Sequence, residues 1–198
     1  MRKIFHFTFV LITIVFFVIA FKNISTMYSA DVYAERGRQL FDDGNYQESF
    51  QYLQRAVNLN PLEPRYYIAR AKTLVGLTPG ASDSNTRTYK LLALEDLRTA
   101  ENLNPNNIIT VKGAVSLYYF LATKDLTRPA GPENTDLEFV DITKSFYKHI
   151  WNKSPNDVGI FVLLHTYSKR LGFEDLTEES GQKIRELRPD LLEWYNFN

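Results

Sequence analysis

Apolar residues along the chain first form an unbroken run and then settle into a three- and four-residue rhythm. Ile4 to Phe21, "IFHFTFVLITIVFFVIAF", is interrupted only by His6, Thr8 and Thr13. As a helix it is about 27 Å long against roughly 30 Å for a bilayer core, so residues 4–21 are expected to span a membrane as a signal-anchor. Arg2 and Lys3 outweigh Lys22, which puts residues 1–3 in the cytoplasm and the rest across the membrane. Residues 22–29 read as a linker to a body at 30–198. The alternative is a cleaved signal peptide and a secreted or periplasmic product. Of its two candidate sites, Tyr28-Ser29-Ala30 has a bulky Tyr where a small residue belongs, and Val32-Tyr33-Ala34 lies far beyond the apolar run.

Within the body, apolar or small residues recur at Tyr33, Gly37, Leu40 and Phe41, then at Tyr46, Ser49, Phe50, Leu53, Ala56 and Val57. This spacing gives two helices one packing face each. "DDGNY" between them, with Gly44 before Asn45, has the chemistry for leaving one helix through a left-handed residue and starting the next. The second helix should stop at "NLNP", because proline lacks the N–H a helix needs and pushes the preceding residue out of helical geometry. That ending occurs twice, as "AVNLNP" (Ala56 to Pro61) and "AENLNP" (Ala100 to Pro105). One unit is therefore used more than once.

The unit resembles the tetratricopeptide repeat, a helix-turn-helix of about 34 residues. Tyr33, Gly37, Leu40, Gly44, Tyr46, Ser49, Leu53, Ala56 and Pro61 match the family's positions in order, whereas Arg36 stands where the family favours Leu. The resemblance implies an all-α solenoid of about four helical hairpins, at about 30–63, 64–107, 108–157 and 158–189, with a closing helix at 190–197. The second and third copies exceed the family period, and the excess falls at two expected loops, 76–87 ("GLTPGASDSNTR") and 124–136 ("KDLTRPAGPENTD"). Thr135 and Glu138 read as a capping box restarting the helix. Ile108 to Ala122 is apolar on nearly every side but too short, and with Lys112 too polar, for a second span. It should be a central helix with neighbours on both sides.

Charge and chemistry narrow the function. Twenty-three Lys and Arg balance twenty-three Asp and Glu, so no basic field points to nucleic acid. The chain has no cysteine and only three histidines, His6, His149 and His165, with none of the spacings that put metal ligands on one helix face. No phosphate loop or nucleophile motif is present, and neither cofactor, metal nor small-molecule substrate is expected. The expectation is a non-enzymatic, membrane-anchored scaffold that binds a protein or peptide. An envelope enzyme with a site in the inserted loops is the different-class alternative. From the resemblance, the first helices of each pair line a groove, where Arg38, Arg65, Lys72, Lys112, Tyr119 and Lys169 would project, basic residues beside an aromatic suited to a carboxylate-bearing segment. Arg38 and Ala69 occupy positions where relatives that clamp chaperone tails carry Asn, so that partner is not expected. Arg87, Lys124 and Arg128 are the expected contacts on the rim loops.

Overall fold

The computed structural model describes residues 2–128 and 131–190, with side chains from residue 9 onward. Among the described residues the chain is all-helical. Its helices are α1 (Arg2–Asp42), α2 (Tyr46–Leu59), α3 (Pro64–Gly76), α4 (Asp83–Leu103), α5 (Ile108–Ala122), α6 (Leu137–Lys153), α7 (Val158–Leu171) and α8 (Glu174–Leu187), with a 3-10 turn at Pro132–Asn134. All but the first residue of the expected closing helix at 190–197 fall outside the described residues.

The helix ends follow the sequence chemistry closely. α2, α4, α6 and α8 each stop two residues before a proline (Pro61, Pro105, Pro155 and Pro189), and the residue after each helix donates its N–H to the carbonyl four residues back. Gly44 takes a left-handed φ of 79°. Its N–H donates to the Phe41 carbonyl and that of Asn45 to Leu40, the paired bonds that satisfy the orphan carbonyls of a helix end. Gly172 ends α7 in the same way. Ser82, Asn107, Asp136 and Asp157 cap the starts of α4, α5, α6 and α7 with side-chain oxygens.

Three local expectations are corrected. Residues 22–29 are not a separate linker: α1 runs 41 residues without a break, from the apolar segment into the body. The loop expected over 76–87 shrinks to the turn between Gly76 and Asp83, because Ser82 caps a 21-residue α4 that takes up most of the extra length as helix. The cap of α6 is Asp136, whose side chain accepts the Glu138 N–H, while the Thr135 hydroxyl donates instead to the Pro132 carbonyl.

Each helix packs on its neighbours in sequence, and the odd helices also touch one another in the order α1, α3, α5, α7. Their contacts fix the directions. The Tyr66 hydroxyl donates to Asp31 at 2.6 Å, and the ring of Phe41 meets Lys72 and Gly76, so α1 and α3 run the same way. Ser49 and Leu53 of α2 face Gly37, and Tyr52 faces Tyr33, which makes α2 antiparallel to α1. Lys112 against Asp157 and Tyr119 against Tyr167 repeat the parallel arrangement for α5 and α7.

The core has two connected parts. Ala30, Ala34, Leu53, Ala56, Tyr66 and Ala100 bury the junction of α1 to α4, and a larger cluster runs from Ala71 to Ile184. α5 lies among α3, α4, α6 and α7, which accounts for its apolar circumference. Small residues allow the closest contacts. A Cβ on Gly37 would sit 2.7 Å from Leu53 Cγ. Beside it the buried Ser49 hydroxyl donates to the Gly37 carbonyl at 2.7 Å and lies 3.0 Å from the Thr73 hydroxyl, joining α1, α2 and α3. Only the apolar N-terminal part of α1 stands outside this packing. The α1 segment from Phe9 contains an 18-residue window of mean hydropathy 2.1 with none of it buried, compatible with a membrane anchor or a signal sequence.

Candidate functional site

The six residues expected to line a groove all lie on the odd helices, but most are engaged within the fold. Arg38 pairs with Glu35 at 2.9 Å, one turn away on α1. Arg65 grips Glu63, the cap of α3, at 2.7 Å, and this hydrogen bond to the guanidinium holds the Glu63 carboxyl below its ordinary value. Lys112 reaches Asp157 on α7 at 2.9 Å. Burial pushes the Asp157 pKa up, but the bonds from Lys112 and the Ile160 N–H prevail and leave it depressed. Lys72 is exposed and sits 4.2 Å from the centroid of the Phe41 ring. Lys169 is exposed and lines a second hollow of about 490 Å3 with His165, Glu178 and Arg185.

Tyr119 corrects the expectation of a projecting ring: it is only 6% exposed. It packs against Phe120 and Tyr167, while the Arg170 guanidinium lies over the Tyr119 and Tyr167 rings at 5.9 and 5.7 Å. Position within the repeat suggested exposure, but the continuous apolar character of α5 was the better guide.

The two segments expected as insertions lie side by side. Thr78, Gly80 and Thr86 from the first and Lys124, Thr127 and Asn134 from the second line one cleft of about 820 Å3, lined also by Asp83, Asp125, Arg128 and Glu133. The cleft lies at the edge reached by the end of α1, because Gly76, where the first segment begins, packs on Phe41 and Tyr46.

The segment 124–136 is anchored at both ends. Thr123 and Thr135 form an isolated antiparallel bridge, and the Lys124 N–H donates to the Asn134 carbonyl at 2.8 Å. The Asn134 side chain then accepts the Asp125 N–H at 2.9 Å and donates to its carbonyl at 2.8 Å. From α4, the buried Lys90 ammonium donates to the Thr123 carbonyl and to Asp136, each at 2.7 Å. Arg87, expected on a loop, is on α4 instead and holds Glu138 through two bonds of 2.8 and 2.7 Å. Its guanidinium keeps the Glu138 carboxyl below its ordinary value. Arg128 pairs with Asp125 at 3.1 Å, and Lys124 is exposed. Lys90 was legible in principle, since it falls three and four residues before the buried Ala93 and Leu94. A lysine on an apolar stripe implies a partner.

His149 pairs with Glu101 at 3.0 Å across α6 and α4, and Nδ1 of the buried His165 lies 2.9 Å from the Thr177 carbonyl. Among the described residues no three His, Cys, Asp or Glu side chains gather as a metal site. In the cleft, Thr127 donates both its hydroxyl and its N–H to Asp125 Oδ1 in a local turn, and the hydroxyls of Thr78 and Thr86 donate to backbone carbonyls. No protein-family model matches the chain, and no curated protein matches it.

Proposed function

We propose that the protein is a non-enzymatic scaffold with a tetratricopeptide-like body, anchored in a membrane by α1 and holding a protein or peptide partner on the extracytoplasmic side. The observation that carries this reading is the convergence of the two inserted segments, 46 residues apart from Thr78 to Lys124, on one cleft at the edge farthest from the apolar end of α1. Inserted segments on a repeat array commonly decorate its binding face. From Phe21 to Asp42 the unbroken helix rises about 32 Å, so the cleft would stand that far from the bilayer, open to a partner in solution.

Retention of α1 is supported by its dual role. Ala30 and Ala34 are fully buried, and Asp31 accepts the Tyr66 hydroxyl. Cleavage after Ala30 or Ala34 would remove part of the body's own core. A binding role is supported by the mixed charges lining the cleft, Asp83, Lys124 and Glu133 beside the Asp125–Arg128 pair. The relevant test is to replace the turn residues 77–81 and the segment 125–134 with minimal linkers in the full-length protein, leaving Ser82 and α4 intact, and recover complexes from native membranes. Helical content and melting should survive, while partner recovery falls about tenfold or more, as loss of a recognition patch does. Unchanged recovery without both segments would place recognition elsewhere.

A further inference from the structure

Past the apolar run, one side of α1 crosses a stretch that neither bilayer nor core accounts for. Here Ile24, Tyr28 and Val32 remain 66%, 71% and 51% exposed. With Phe17 and Phe21, 67% and 75% exposed, they form a stripe at spacings of three and four residues. At about 100° per residue, all five lie within about 40° of the Tyr28 direction. Ala30, Tyr33, Ala34 and Gly37, which face α2 and α3, point about 140–240° away, the opposite side of the helix. The body therefore leaves the stripe open along its whole length.

The geometry points to α1 of a second copy as the occupant of this stripe, in a parallel, two-fold helix pair that begins in the bilayer and continues to about Val32. The inference rests on retention of α1 as a membrane anchor. A bilayer gives both copies the same direction, so the stripe meets itself, and three–four spacing is the pattern by which paired helices interlock. Charge agrees with self-pairing. Among residues 9–30 the only charged side chain is Lys22, about 120° from the seam. At the upper end of the stripe Asp31, which accepts the Tyr66 hydroxyl, and Glu35 come round to within about 60° of it, and repulsion between copies there should part the helices at about Val32.

Lipid does not account for the upper part of the stripe. With Phe21 at the edge of the hydrocarbon, Tyr28 lies about 10 Å and Val32 about 16 Å outside it, beyond headgroups roughly 5–8 Å deep. The area is adequate too. Aromatic side chains present on the order of 150–250 Å2 in full. Three such residues, mostly exposed, with Ile24, Val32 and the neighbours they bring into contact, give roughly 500–600 Å2 per copy, just at the scale of a small specific interface.

The absence of native cysteine makes a direct test available. Ile24→Cys, Tyr28→Cys, Lys22→Cys and Thr26→Cys are prepared singly in the full chain, in membrane vesicles under mild oxidation, with intact mass measured on the same samples. The expected result is disulfide-linked dimer at least about tenfold stronger at 24 and 28 than at 22 and 26, and persisting when the protein is diluted with excess lipid. With α1 retained by mass, even crosslinking at all four positions, a preference for 22 and 26, adducts only to other proteins, or no dimer overturns the inference. A mass lacking residues 1–30 would instead remove the anchor reading, and with it this pairing.

Discussion

Gly37 shows how much of the packing hangs on single atoms. Its missing Cβ lets Leu53 of α2 approach, and its carbonyl accepts the buried Ser49 hydroxyl. Gly37→Ala should cost about 1–3 kcal/mol by overpacking, read as a lower denaturant midpoint with helicity kept. Ala56 and Ala100 are fully buried, and tryptophan at either position should have a similar cost for the same reason. Both were legible because small residues recur at matching places in two similar stretches of sequence, where helices cross closely. The ion pairs were less legible, since sequence gives the positions of Arg38, Arg65 and Lys112 but not the carboxylates that fold back on them. Asp157 offers a pH test. Its folded pKa lies below the ordinary 3.8, so its stabilising contribution is full above that value and is lost as pH falls through the lower, folded one. Asp157→Asn keeps a capping side chain but loses the Lys112 pair. The variant should be less stable than the parent at pH 7, and the gap in melting temperature should narrow as pH falls below 3.8.

Elements were read more securely than their joints. Each Asn-Pro or equivalent stop ended a helix where the missing N–H of proline requires it, and the apolar rhythm gave the hairpins. The turn Gly76–Asp83 was misjudged because Ser, Asn and Thr suit a loop as well as a helix start. Ser82 resolves it by capping α4, and tertiary contact then favours helix. Segment 124–136 depends on Lys90, whose buried ammonium joins α4 to Thr123 and Asp136. Lys90→Met should leave the helices intact but raise hydrogen exchange across 123–136 by about tenfold, equivalent to about 1.4 kcal/mol of local opening, the scale of a lost hydrogen bond to a charged group. Exchange unchanged there, or raised equally in α7 and α8, would contradict this local role.

At the scale of the whole molecule, α1 sets the geometry. Because it continues unbroken into the body, every odd helix starts on the side of its apolar end, and the inserted segments gather on the other. The all-helical class and the long apolar helix were legible from periodicity and length. The meeting of two segments 46 residues apart in one cleft, and the ties of Arg87 to Glu138 and Lys90 to Asp136 beside it, come from tertiary contacts that no local pattern encodes. The central claim is that this cleft recognises a protein partner away from the bilayer. Its most direct measurement is photocrosslinking in native membranes from a reactive side chain at Ala81 or Thr127, compared with Gln51 and Glu95 on α2 and α4. A discrete protein adduct should form from the two cleft positions alone and be lost when the segments lining the cleft are shortened. Adducts of equal strength from all four positions, or none from Ala81 and Thr127, would contradict it.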